Sequence, residues 1–180
     1  VISLRCEVGQ NLHSWRLGAD YRTSVSGQKK LGGGVLLELS HELDYLRWIF
    51  GDIEWIKATL STQSALEIDV EDSVFITVGF VPEPNKKQLI GSLNMDFIRH
   101  DHTRNCIAIG ADGSLRWNGL TGRVDKYSAG FQVWEELSGA SFKIDDSYRS
   151  VWSNFIQCVK NDDLPSVSGA DGLAVLKIVE

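Results

Sequence analysis

No run of apolar residues in this 180-residue chain approaches the roughly 18 that a membrane-spanning helix requires, and the first residues lack the basic-then-apolar pattern of a secretory signal. A soluble, cytoplasmic protein is the expectation. Cysteine is scarce: Cys6, Cys106 and Cys158 are odd in number, widely spaced, and include no Cys-x-x-Cys pair to hold zinc or cycle as a dithiol. They read as small buried hydrophobes in a reducing compartment. Basic clusters are as sparse, the doublets being Lys29-Lys30 and Lys86-Lys87, each beside turn-forming residues. With a formal net charge of −6, this excludes the phosphate-neutralising surface of a nucleic-acid binder.

Several chemical motifs are also missing. There is no Gly-x-Gly-x-x-Gly, no glycine loop ending in Lys-Ser/Thr, no Ser-His-Asp arrangement, and no His-x-x-x-His pair for a metal. His100-Asp101-His102 reads as a turn. What remains is an ordinary globular composition, 43% hydrophobic and 23% charged, enough for one substantial core and hence a single domain over 1–180.

The segment Val1 to Val8 is β-branched at its start and alternates at its end, as a strand does. A chain that opens inside a strand reads as a piece of a longer one. Residues 9–30, rich in Gly, Ser, Arg and aromatics, read as a long ordered loop. After Gly32-Gly33-Gly34, the residues Leu36, Leu39, Leu43, Leu46 and Phe50 form one helical stripe over 35–50, which Gly51 ends. Strands follow near 54–62, 73–81, 88–98, 104–110, 114–118, 122–127 and 130–135, punctuated by Pro82-Glu83-Pro84-Asn85 and by Asp112-Gly113. A second helix, from Asp145 or Asp146, places Tyr148, Val151, Trp152, Phe155, Ile156 and Val159 on one face, and a third starts at a capping-box-like Ser168 to Asp171. The expected fold is α+β: an open, mostly antiparallel β-sheet with helices packed on one face. Strands such as Val74-Phe75-Ile76 and Cys106-Ile107-Ala108-Ile109 are apolar on both alternations, so the other sheet face is expected to be a homo-oligomer interface, the alternative being cover by its own loops.

Opposite the leucine stripe of the 35–50 helix fall Glu38, His41, Tyr45 and Trp48, an unusual set for a solvated face. Glu38 and Asp44, each three residues from His41, are candidates to orient its ring. The glycine triplet offers either a helix N-terminus for an anionic or polyhydroxyl ligand or a flexible hinge. Trp15, Arg16, Asp20, Tyr21 and Arg22 are suited to stacking on a sugar ring and to gripping hydroxyl or carboxylate groups; packing of Trp15 and an Asp20–Arg22 ion pair would account for them equally well.

The run from Gly32 to Gly51, with its glycines, Glu38, His41 and Asp44 in His-x-x-Asp spacing, and a closing Phe50-Gly51, resembles the signature of the C-terminal domain of glucose-fructose oxidoreductase / inositol dehydrogenase (Gfo/Idh/MocA) enzymes. Leu12 to Arg22 resembles the family's Trp-Arg-Pro and Asp-Tyr-Arg segment, and Asp69–Asp72, Gly110–Gly113 and Phe155–Leu173 follow its order. Two departures stand out: the family's acid lies four residues before the histidine, where this chain has Leu37, and the prolines around the tryptophan are absent. The resemblance implies hydride transfer between NAD or NADP and a sugar or sugar-like polyol. His41 would be catalytic, and Trp15, Arg16, Tyr21, Arg22, Glu38 and Asp44 would bind substrate. It also implies that the cofactor is held mainly by an N-terminal Rossmann domain with a Glu-Lys-Pro lysine, neither of which matches anything here. This chain alone is therefore not expected to turn over. The other reading is a sugar-binding or oligomerisation module with the same fold and no chemistry.

Overall fold

In the computed structural model, which describes residues 1–15, 18–139 and 144–180, the alternation at the start of the chain becomes strand β1 (Ser3–Gly9). Leu4, Cys6 and Val8 are buried on one side of it, while Arg5 is exposed and Glu7 half-buried on the other. The remaining strands are β2 (Ile53–Ser61), β3 (Ser73–Phe80), β4 (Ile90–Asp96), β5 (Thr103–Ile109), β6 (Gly113–Asn118), β7 (Val124–Ser128) and β8 (Val133–Ser138). Among the described residues these eight make one open sheet in the order β2-β3-β4-β1-β5-β6-β7-β8. Every pairing is antiparallel except that of β1 with β4, which is parallel. The first strand thus lies inside the sheet, between two that follow it by more than eighty residues (Ser3 opposite Ile90 and Ile109).

The helices are α1 (Leu12–Trp15), α2 (Val35–Glu38), α3 (His41–Phe50), α4 (Ile144–Asn161) and α5 (Gly169–Val179), and no helix among the described residues is long and apolar enough to cross a membrane. After β1 the described residues form α1 and three single turns of 3₁₀ helix at 21–23, 25–27 and 29–31. The one helix expected over 35–50 is two. Around Leu39 and Ser40 the backbone tightens to i→i−3 bonds (Ser40 to Leu37, Glu42 to Leu39, Leu43 to Ser40) before the i→i−4 ladder resumes at Asp44. This tightening turns α3 so that Glu42 points inward with Leu43 and Leu46. Gly51 then ends the helix at φ 100°, as its position in the pattern predicts.

Val35, Leu36, Leu39, Leu43 and Leu46 pack on the inner sheet face against Leu4, Cys6, Val8, Val74, Ile76, Val78, Leu93, Met95 and Cys106. Residues such as Leu43 and Val74, fully shielded, each contribute about 1.5–3 kcal/mol by leaving water. The outer face carries Lys57, Thr59, Thr77, Ser92 and Asn94 around a half-exposed Phe75, so it is mixed rather than continuously apolar. α5 opens with the anticipated capping box, Ser168 and Asp171 each accepting from the other's backbone N–H. α4 departs from expectation: Tyr148, Val151, Trp152, Phe155, Ile156 and Val159 are 46–69% exposed instead of packed on the sheet.

Asp72, at the entry to β3, has no exposed surface; its carboxylate accepts from Gln63 N, Ser64 N, Ser64 Oγ and Ser73 Oγ. Burial pushes its pKa up, but the donated hydrogen bonds outweigh that and hold it below the ordinary 3.8. A depressed folded-state pKa adds stability that is complete above the ordinary value and is lost as pH falls from there through the folded value. Replacing Asp72 by Ala orphans buried donors and is expected to cost about 2–4 kcal/mol at neutral pH in urea unfolding, the gap from wild type narrowing as pH drops below 4.

Candidate functional site

The glycine run brings the chain into α2 through a crowded corner. Gly34 has φ 115°, and a Cβ on it would strike the Glu71 carboxylate; one on Gly33 would strike the backbone of Val25 and Ser26. The donors here are already engaged. Gly33 N donates to Gln28 O, Gly34 N to Ser26 O, Val35 N to Glu71 O (3.3 Å), and Leu36 N to Glu71 Oε1 (3.0 Å). The anion at this helix end is the protein's own. The N–H groups of Gly33 to Leu36 that a ligand cradle would use are thus engaged within the protein.

His41 opens α3, and its side chain is 53% exposed. The carboxylate against it belongs to Glu42: Oε1 lies 3.2 Å from His41 Nε2 and 2.8 Å from Arg104 Nε of β5, with Glu42 only 1% exposed. Neither contact is an aligned hydrogen bond, so Glu42 and Arg104 are held by charge at close range. The Arg104 guanidinium also lies 5.8 Å over the Tyr45 ring and 5.2 Å over that of Trp117. Tyr45 meets Trp117 edge-on at 5.3 Å, and its hydroxyl is buried near the sulfurs of Cys6 and Cys106. Burial, before any neighbouring charge, pushes that phenol far above its ordinary pKa and keeps it protonated.

The face expected to unite Glu38, His41, Tyr45 and Trp48 therefore divides. Tyr45 turns to the sheet, Trp48 is 77% exposed, and Glu38 is half-buried at the end of α2. Asp44 lines a cleft of about 260 Å³ between α3 and the start of α5, with Tyr45, Arg47, Trp48, Val167 and Asp171.

The loop residues form a second group. Trp15 packs edge-on against Phe97 at 5.2 Å. Tyr21 lies 4.3 Å from the His13 ring and accepts at its hydroxyl from Glu67 N, while Arg22 grips Asp20 through two bonds of 2.9 Å and reaches Glu67 at 3.3 Å. Arg22 holds the Asp20 carboxyl below its ordinary pKa. Arg16 lies outside the described residues. Among the described residues no group of three or more His, Cys, Asp or Glu side chains is placed to hold a metal.

Glu42 and Arg104 are what the spacing argument passed over. The signal was present: Glu42 is three residues after Leu39 and four before Leu46, inside the apolar stripe, where a carboxylate requires a buried cation. Arg104→Met is expected to leave that carboxylate uncompensated and cost about 3–5 kcal/mol in denaturant unfolding. Combining it with Glu42→Leu should recover most of the loss, because the two charges are removed together.

Comparison with known proteins follows the same lines. The model of the GFO/IDH/MocA C-terminal domain matches residues 1–116. No curated protein matches the sequence. Among solved structures, levoglucosan dehydrogenase in complex with NADH superposes with a TM-score of 0.79 at 20% identity, over 99% of this chain and 54% of that one. UDP-N-acetylglucosamine 3-dehydrogenase GnnA from Acidithiobacillus ferrooxidans gives 0.72 at 14% identity, over 98% and 50%. The WlbA dehydrogenase from Bordetella pertussis, in complex with NADH and UDP-GlcNAcA, gives 0.70 at 20% identity, over 97% and 48%. The chain thus spans about half the length of these structures, and at such identities the likeness is one of fold. With the family model covering well over half its length, this chain belongs to the GFO/IDH/MocA C-terminal domain family.

Proposed function

We propose that this chain is the substrate-binding and assembly half of a cytoplasmic NAD(P)-dependent oxidoreductase acting on a sugar or sugar-like polyol, with the cofactor carried mainly by a Rossmann domain elsewhere in the parent protein. The observation that carries this reading is His41: an exposed imidazole at the mouth of α3, set against a buried carboxylate that is itself anchored by Arg104. A core histidine would be enclosed, whereas this one is half exposed beside a shielded ion pair. The solved dehydrogenases of the same fold, described with NADH and with sugars or nucleotide sugars, support the substrate and cofactor class.

The nicotinamide supplies the hydride acceptor or donor when bound. The work left to this chain is proton transfer and grip. His41 takes the proton of the reacting hydroxyl in the oxidising direction and returns it in the reducing one, while Glu42 fixes a negative charge beside the ring. Tyr21, Arg22, Glu38 and Asp44, with Trp15 and Arg16, are the proposed substrate contacts. Arg22 already has two carboxylate partners, so it serves a hydroxyl-bearing ligand better than a free acid. The outer sheet face is the proposed meeting surface of identical copies, with Phe75 at its centre and β-strand polar groups around it.

Two measurements test these statements. In the complete enzyme, His41→Ala is expected to lower turnover about 10²–10⁴-fold while leaving the melting temperature near that of wild type; an equal loss of folding would instead make His41 structural, full activity would remove it from the chemistry, and a wild-type protein without NAD(P)-dependent turnover would favour the non-catalytic module. By analytical ultracentrifugation this chain should sediment as a dimer or larger, and Phe75→Lys should shift it toward monomer. A wild-type monomer at high concentration would refute the interface.

A further inference from the structure

Cys6 and Cys106, read from the sequence as unrelated small hydrophobes, stand directly opposite each other on the antiparallel pair β1 and β5. Cys6 Sγ donates to Cys106 Sγ at 3.2 Å, and all three cysteines of the chain are free thiols. We propose that this pair is a covalent modification site: a dithiol that a hydroperoxide converts to an intrachain Cys6–Cys106 disulfide. The inference does not depend on the role given to His41.

The backbone meets the requirement. Directly opposed residues of antiparallel strands have Cα atoms about 4.5–5.5 Å apart, inside the range of about 4.4–6.8 Å that a disulfide spans. The sulfurs need only close from 3.2 Å to about 2.05 Å, a movement of side-chain rotation. The two thiols are also unequal. Cys106 receives the S–H of Cys6, which holds its thiol below the ordinary pKa, whereas donating that bond pushes Cys6 up. Cys106 is also the one of the two that lines an apolar cleft of about 140 Å³, with Tyr45, Ile49, Ala108, Leu115 and Trp117, wide enough for a small peroxide.

These asymmetries assign the steps. Cys106 sulfur, as thiolate, attacks one peroxide oxygen; the S–O bond forms, the O–O bond breaks, and the leaving oxygen takes up the proton released by the thiol. Cys6 sulfur then attacks the sulfenic acid, forming S–S and breaking S–O, and its proton departs with the hydroxide as water. Overall, two thiols and one hydroperoxide give one disulfide, one alcohol (or water) and one water. The two electrons lost by sulfur reduce the peroxide.

The test uses the 180-residue chain. It is treated with a small excess of hydrogen peroxide, unfolded in an alkylating reagent, and read by intact mass and peptide mapping. The expected result is a fall from three alkylatable thiols to one, Cys158, with the Cys6 and Cys106 peptides joined and separated again by dithiothreitol. Cys158→Ser should still lose two thiols, and Cys106→Ser should lose none. Should Cys106→Ser fail to fold, the wild-type and Cys158→Ser maps decide alone. Three thiols surviving, disulfide-linked dimers through Cys158, or Cys106 carried to sulfinic acid with Cys6 still free would each overturn the proposal.

Discussion

A carboxylate with 1% exposure inside an apolar helix stripe requires a cation beside it, and Glu42 obtains one from a strand that lies more than sixty residues further along the chain. That demand fixes several things together. α3 is rotated so that Glu42 faces the sheet, β5 is held in a register that presents Arg104, and the guanidinium is roofed by the rings of Tyr45 and Trp117. His41, the next residue back, is then carried outward to the rim with a fixed charge 3.2 Å from its ring. The exposed imidazole and the buried ion pair are two ends of one arrangement, the second setting the position of the first.

Much of the architecture follows from local pattern. The eight strands lie within three residues of where alternation and turn residues place them, and Leu36, Leu39, Leu43 and Leu46 form the helix seam that their spacing implies. Gly51 and the Ser168–Asp171 box end and begin helices because their backbone chemistry allows little else. The break at Leu39 and Ser40 was not legible in the same way. Neither glycine nor proline marks it, and it is visible only as a shortening of backbone bonds. A reading at a constant 100° per residue therefore placed Tyr45 beside His41, when it faces the sheet.

Pairwise contacts over long separations were the other hidden layer. Nothing near Cys6 announces Cys106, since their opposition depends on β1 being flanked by β4 and β5, a topology no local pattern encodes. The Glu71 carboxylate at the start of α2 is the same kind of case: the glycines showed that something approaches closely there, but not that it is a side chain of this protein. With α4, the amphipathic pattern gave the helix correctly, and its exposed stripe shows that a pattern states which face is apolar without stating what meets it.

The place of β1 also bears on how the molecule is made. Both of its neighbours are synthesised later, and the second is complete only at Ile109, so Leu4, Cys6 and Val8 must wait through about a hundred residues of translation before the strand is paired on both sides. Contacts so distant in sequence slow folding, because loop closure precedes the reward of burial. On the ribosome, at about 5–20 residues per second, that wait amounts to about 5–20 seconds of exposed apolar strand, a window in which chaperones have something to hold.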